Sequence, residues 1–280
     1  QFGLVGSEMC IRDRDKDVNK DDILKKAKLE FVNFKNMIES NGIKVTYMHG
    51  SLGCPDHIFP NWFATFQDKT MQIFSMKALN RRAEKKPEMI KKLQTEYKLT
   101  EDMTHYEEKG VFLESTSSMV FDRVNMIAYI GKSVRTNTNL AKEWCSKNGF
   151  ELILFETTNH KNNSIYHTDV LMFVGTEMIG LCIDVINEDY KDMVYSKATN
   201  HHEVMLITKE QILDFCGNAL EARNDNNEKF LIMSTRAHNS LSTDQHKCIS
   251  RFYKKIIHSD IPTIERYGGG SARCMLSELF

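Results

Sequence analysis

The chain is poor in most of the features that mark a specialised class. Only 4 of its 280 residues are proline, so no proline-rich tether or low-complexity linker divides it. Neither sign of charge dominates, with 37 lysines and arginines against 38 acidic residues. No global field recruits nucleic acid or an anionic membrane surface, and the partner this implies is a small molecule. No stretch approaches the roughly 18 consecutive apolar residues of a membrane-spanning helix. The start lacks the apolar core of a secretory signal, and a soluble cytoplasmic protein is the expectation. The seven cysteines contain no C-x-x-C pair and are odd in number, which suggests neither a disulfide framework nor a zinc site.

What is present is enough for a full core, with 41% hydrophobic and 27% charged residues. Residues 1–14 are set aside, because Gly6-Ser7-Glu8-Met9-Cys10-Ile11-Arg12-Asp13-Arg14 resembles a translated sequencing adapter. Residues 15–280 then form a single domain that is expected to lack its first strand. A helical pattern runs from Asp21 to Asn41-Gly42 and is followed by a strand over Ile43 to Met48. The same order returns as a helix over Thr138 to Asn148, a Gly149 cap and a strand over Phe150 to Phe155. Further helices are expected at Pro87 to Tyr97, Lys209 to Ala222 and Ser242 to Lys254. Strands are expected at Met71 to Ser75, Val111 to Glu114, Met119 to Phe121, Met126 to Ile130, Val170 to Val174, Met178 to Ile183, Val204 to Ile207 and Phe230 to Met233. Hairpin-plus-helix units at a loose period of roughly 50 residues suggest an α/β fold of repeated modules around an axis.

Several segments carry candidate chemistry. Tyr267-Gly268-Gly269-Gly270-Ser271-Ala272-Arg273-Cys274 sets a cysteine beside a cation and behind glycines that let backbone approach the sulfur, as a thiolate nucleophile needs. It lacks the lysine of a phosphate-cradling loop. In Tyr166-His167-Thr168-Asp169, His167 is placed to move protons and Asp169 to project to the same face. Glu114 ends a strand before four small hydroxyl residues and could orient a histidine. Asp56 lies in the aromatic loop that continues to Trp62. Arg82 and Arg135 offer planar forks for a carboxylate. Taken singly, each of these segments also fits ordinary core or surface.

Together and in this order, the segments resemble the guanidine-modifying superfamily of arginine deiminases, dimethylarginine hydrolases and amidinotransferases, above all its citrulline-utilisation hydrolase subgroup. The resemblance rests on Phe59-Pro60-Asn61-Trp62, Met76 to Arg82, Leu113-Glu114, Phe121 to Asn125, Tyr166 to Asp169, Met233 to Ala237 and Ile264 to Cys274. It implies a five-module α/β propeller with an axial site. It also implies a linear-amidine C–N hydrolase that acts on arginine or a close derivative and gives citrulline and ammonia or an alkylamine through a covalent thiouronium on Cys274. His167 would be the acid and base, Glu114 its support, and Asp56 and Asp169 the grip on the guanidinium. Arg82 and Arg135 would hold the substrate carboxylate, and no metal or organic cofactor is implied. An amidinotransferase using an amine acceptor, or a non-catalytic guanidino-ligand-binding relative, would carry the same motifs. Ser115 and Ser117 stand where glycines are common in that superfamily.

Overall fold

The structure is a computed structural model that describes the backbone of Phe2–Gly6 and residues 19–51, 53–54 and 56–280. Residues 7–14, with Cys10 and most of the segment set aside as non-native, lie outside the described residues.

A single unit is repeated: two antiparallel strands, a helical crossover, and a third strand parallel to the second. It first appears whole as β3 (Phe63–Thr65), β4 (Thr70–Ile73), helices α2 (Leu79–Arg82) and α3 (Pro87–Gln94), and β5 (Lys98–Asp102). After a short helix α4 (Ser115–Ser118), it returns as β6 (Met119–Asp122), β7 (Ile127–Gly131), α5 (Thr138–Asn148) and β8 (Glu151–Phe155). The next unit is β9 (Met172–Val174), β10 (Met178–Leu181), α6 (Glu188–Thr199) and β11 (Glu203–Leu206). Past α7 (Lys209–Leu213) come β12 (Leu220–Arg223), β13 (Lys229–Ser234), α8 (Thr235–Ser240), α9 (Thr243–Ser250) and β14 (Lys255–Ser259). The remaining unit joins the two ends of the chain. There β1 (Phe2–Gly6) lies between β2 (Val45–His49), reached in parallel across α1 (Lys20–Glu39), and the antiparallel β15 (Ser277–Glu278). The result is five three-stranded sheets, the five-module α/β propeller that the family resemblance implied.

The expected loss of the first strand is corrected here. β1 fills the centre of its sheet, in register from Phe2↔Val45 to Gly6↔His49, and gives backbone partners to two strands that would otherwise be open edges. Lys209 to Ala222 is not one helix. Its capping box (Thr208 with Gln211) starts only one turn, and Leu220–Arg223 pairs instead with β13. Val111 to Glu114 forms no strand, only a bridge from Leu113 to Thr136. Val170 belongs to a 3₁₀ turn, with β9 starting at Met172.

Local signals place the helices well. Asn19 caps α1 by accepting from the Asp21 N–H at 3.0 Å, and Ile23, Ala27, Phe34 and Ile38 point into the core. Asn137 caps α5, and Gly149 ends it at φ 74°. Neighbouring modules interlock through α5: Trp144 donates to Gln72 Oε1 at 2.6 Å and stacks on Phe121 and Phe150 at 5.3 and 5.4 Å. Among the described residues, no helix is long and apolar enough to cross a membrane.

Because Trp144 is buried and bridges two modules, Trp144→Ala should cost about 3–5 kcal/mol through the cavity and the orphaned Gln72. Scanning calorimetry should show Tm lowered by on the order of 10 °C, and a shift under about 2 °C would remove Trp144 from this role.

Candidate active site

All five junctions between modules start at the same end of the propeller, because each inner strand runs away from its junction. Each junction supplies one or more of the polar side chains gathered there. Asp56 lies between β2 and β3, and Glu114 between β5 and β6. His167 and Asp169 lie between β8 and β9, Asn218 between β11 and β12, and Cys274 between β14 and β15. A pocket of about 50 Å³ opens among them, faced by Asp56, Asn61, Arg81, Arg135, His167 and Cys274, with Tyr166 and the glycine run 268–270 at its edge.

Glu114 is fully buried. Its Oε2 lies 2.6 Å from His167 Nε2 and 3.0 Å from Arg135 Nη1, and its Oε1 accepts the Lys77 N–H at 2.9 Å. Burial alone would push this carboxyl up. The His167 hydrogen bond and charge, Arg135 and the Lys77 N–H more than offset it and hold the group at about 2. Glu114 is therefore an anion that fixes one edge of the imidazole. Ser115, next in the chain, sits at φ 43°, a left-handed conformation that costs a side-chain-bearing residue about 1–2 kcal/mol. Its hydroxyl donates to the Phe63 carbonyl at 2.8 Å and ties the turn down.

Cys274 is partly buried at the end of the glycine loop. Its sulfur is 3.7 Å from Asp169 Oδ2, which in turn is 3.6 Å from Arg273 Nη1. Burial and then the Asp169 charge push the thiol up to about 12, with the Ser271 backbone, Asn218 and Arg273 opposing. Asp169 is itself raised by burial, with Arg273 and His167 opposing. It is fully buried and stands behind the sulfur, outside the residues that line the pocket.

Two glycines permit this closeness. A Cβ on Gly270 would stand 2.9 Å from the Phe59 ring and 3.2 Å from Cys274 Cβ. One on Gly217 would stand 2.4 Å from the Val170 carbonyl oxygen.

The two arginines divide. Arg135 faces the pocket, with its guanidinium 5.5 Å over the Tyr166 ring. Arg82 does not. It donates from Nε to the Met76 carbonyl at 2.9 Å and from Nη2 to the Lys77 carbonyl at 3.2 Å, and the preceding residue Arg81 lines the pocket instead. Successive helical residues point about 100° apart, so only one of the pair can face inward. Arg81 bonds the Phe59 carbonyl and Asn61 Oδ1 and pairs with Glu84 at 2.7 Å. Burial pushes Glu84 up to about 8 against the pull of Arg81.

Asn218 carried no sequence signal. Buried at the fourth junction, it donates from Nδ2 to Cys274 Sγ and to the Asp169 carbonyl, both at 3.1 Å, and accepts the Cys274 N–H at 3.3 Å. The module period could have found it, since every other junction carries a polar side chain at the corresponding place.

The five-sheet fold and this axial cluster define a member of the guanidine-modifying superfamily. The chain belongs to the family described as N,N dimethylarginine dimethylhydrolase, eukaryotic, whose model matches residues 10–280. No curated protein matches it. Among solved structures it is similar to an arginine dihydrolase of the ornithine–ammonia cycle in cyanobacteria, at 13% identity and TM-score 0.73. That match covers 99% of this chain and 39% of the dihydrolase. The isolated N-terminal domain of the dihydrolase, covalently bound to a reaction intermediate, matches at 12% identity and TM-score 0.76, covering 99% and 96% of the two chains. A dimethylarginine dimethylaminohydrolase variant in adduct with S-methyl-L-thiocitrulline matches at 13% identity and TM-score 0.68, covering 99% and 98%.

With its thiol near 12, Cys274 should be alkylated by iodoacetamide at a rate that climbs from about pH 7 to about pH 10 without a plateau. Asn218→Ala removes a donor to the sulfur and should slow this alkylation about tenfold at about pH 9. Peptide mass spectrometry resolves Cys274 from the other thiols, and an unchanged rate would show that the amide does not stabilise the thiolate.

Proposed function

We propose that the chain hydrolyses a guanidino substrate, arginine or a close N-substituted derivative, to citrulline and ammonia or an alkylamine. The observation that carries this is the 2.6 Å contact of Glu114 with His167 in a pocket that also presents Cys274 and Asp56. Family membership supports the reading.

The high thiol pKa decides the order of events. Burial and the Asp169 charge favour the neutral thiol, so the thiolate is favoured when a guanidinium brings its positive charge beside the sulfur. Asp56, bonded by Asn80 Nδ2 at 3.1 Å, accepts from the guanidinium nitrogens and fixes the carbon over the sulfur. Arg135 engages Glu114 through Nη1 and has the rest of its fork for a substrate carboxylate.

As the guanidinium binds, the Cys274 thiol gives its proton to His167, and the thiolate adds to the guanidinium carbon, forming a carbon–sulfur bond. His167 protonates the leaving nitrogen as its carbon–nitrogen bond breaks, which leaves a thiouronium on Cys274. Water then adds to the same carbon and gives its proton to His167. The carbon–sulfur bond breaks, freeing the ureido product and the thiolate. No step calls on a metal or organic cofactor. A cytoplasmic location belongs to the same proposal, supported by the free state of the six described cysteines.

Incubation with L-arginine and Nω-methylated arginines should yield citrulline, and rapid acid quenching should leave a covalent adduct on Cys274 by peptide mass spectrometry. Cys274→Ser should abolish both signals, and His167→Ala should lower turnover by about 10²-fold or more. Citrulline formation surviving Cys274→Ser would overturn the proposal. An amidino group appearing on added glycine would make the protein a transferase.

A further inference from the structure

A second cavity lies away from the candidate active site. It measures about 430 Å³ and lies at the opposite end of the propeller, where the five inner strands finish. All five modules reach it, through Gln67 after β3, Arg123 after β6, Thr176 after β9, Arg223 on β12 and Glu278 on β15. Its size falls within the range of roughly 300–1,000 Å³ usual for small-molecule sites.

The lining is amphipathic and already organised. Phe121, Val174, Leu220 and Leu279 make apolar wall. Arg123 is held by Glu278 at 3.0 Å and by the rings of Phe66, Phe121 and Phe280, whose centroids lie 4.6 to 5.6 Å from its guanidinium carbon. Its Nε is buried and has no acceptor. Glu221 accepts the Thr176 N–H at 2.9 Å, and Arg223 Nη2 donates to Thr176 Oγ1 at 2.8 Å.

Two guanidinium groups and two side-chain carboxylates thus line one cavity. A dianion or a polyamine would meet like charge on half of this lining. A molecule with one carboxylate, one ammonium and an apolar body meets a partner for each part. We infer that the far axial cavity is a second ligand site, for a zwitterionic α-amino acid with an apolar side chain. The site is independent of the catalytic pocket. It is connected to it by two inner strands, since β12 starts two residues after Asn218 and β15 three residues after Cys274.

The test is calorimetric titration of the full chain carrying Cys274→Ser, using L-leucine and L-phenylalanine as probes that carry no guanidinium. Saturable binding is expected, at least about tenfold tighter for L-leucine than for 4-methylpentanoate or isoamylamine, which each lack one of its charges. Val124→Trp fills the mouth from a largely exposed position and should abolish binding without lowering Tm, and Arg123→Met should weaken it about tenfold or more. No saturable binding of either amino acid up to about 20 mM would overturn the inference. So would equal affinity for the singly charged analogues, or unchanged binding in both variants. None of these results depends on whether the catalytic pocket turns over a guanidino substrate.

Discussion

A three-stranded sheet with a crossover helix or two is too small to bury both of its faces, and the rest of the molecule follows from that constraint. Each sheet is satisfied only by its neighbours. One hydrophobic cluster therefore runs from Val120 in one module through Phe173 in the next to Tyr253 in a third. Trp144 of one module likewise reaches Gln72 of another. Packing around an axis points all five inner strands the same way. Every junction then enters at one end and every inner strand leaves at the other, so chemistry collects at one end and an open cavity at the other.

Polar side chains at the junctions are buried by this geometry, and they must find partners among themselves. Glu114 does so with His167, Arg135 and the Lys77 N–H, and it remains ionised despite full burial. Asp169 has a weaker set, with Arg273 at 3.6 Å, and there burial prevails and its carboxyl is raised. Two carboxylates at one site are thus pushed in opposite directions by the number and distance of their donors. The same logic orders the aromatic loop: Arg81 links the Phe59 carbonyl to Asn61, and Asn61 passes a hydrogen bond of 2.9 Å to Ser117 beside Glu114.

Much of this was legible wherever a local rule acted alone. Asn137, the apolar spacing through Trp144 and Gly149 define α5 to the residue. The motif segments named Cys274, His167 and Asp56, which the structure brings to one pocket, and Glu114, which it sets against His167. What failed was decided by tertiary context. α6 shows only Val194 and Ala198 to the core, too thin an apolar stripe to be read as a helix. Leu220–Arg223 looks helical in isolation and is a strand because β13 lies beside it. Arg81 and Arg82 are adjacent and chemically identical, and the phase of a four-residue helix cannot be known before its packing is. Asn218 has no type-specific signature, and its part in the site comes from lying one module away from residues that do.

The state of Cys274 links these threads. A sulfur that was anionic in the resting protein would be a standing target for oxidants, and its charge would have to be carried beside the buried Asp169. Here burial and Asp169 keep the thiol protonated, while Asn218 and Arg273 stand ready to stabilise the anion once it forms. The missing contribution is one positive charge beside the sulfur, and in the proposed substrate the guanidinium is the cation whose carbon would meet it. In the proposed reaction, selectivity for a cation and activation of Cys274 are a single electrostatic event.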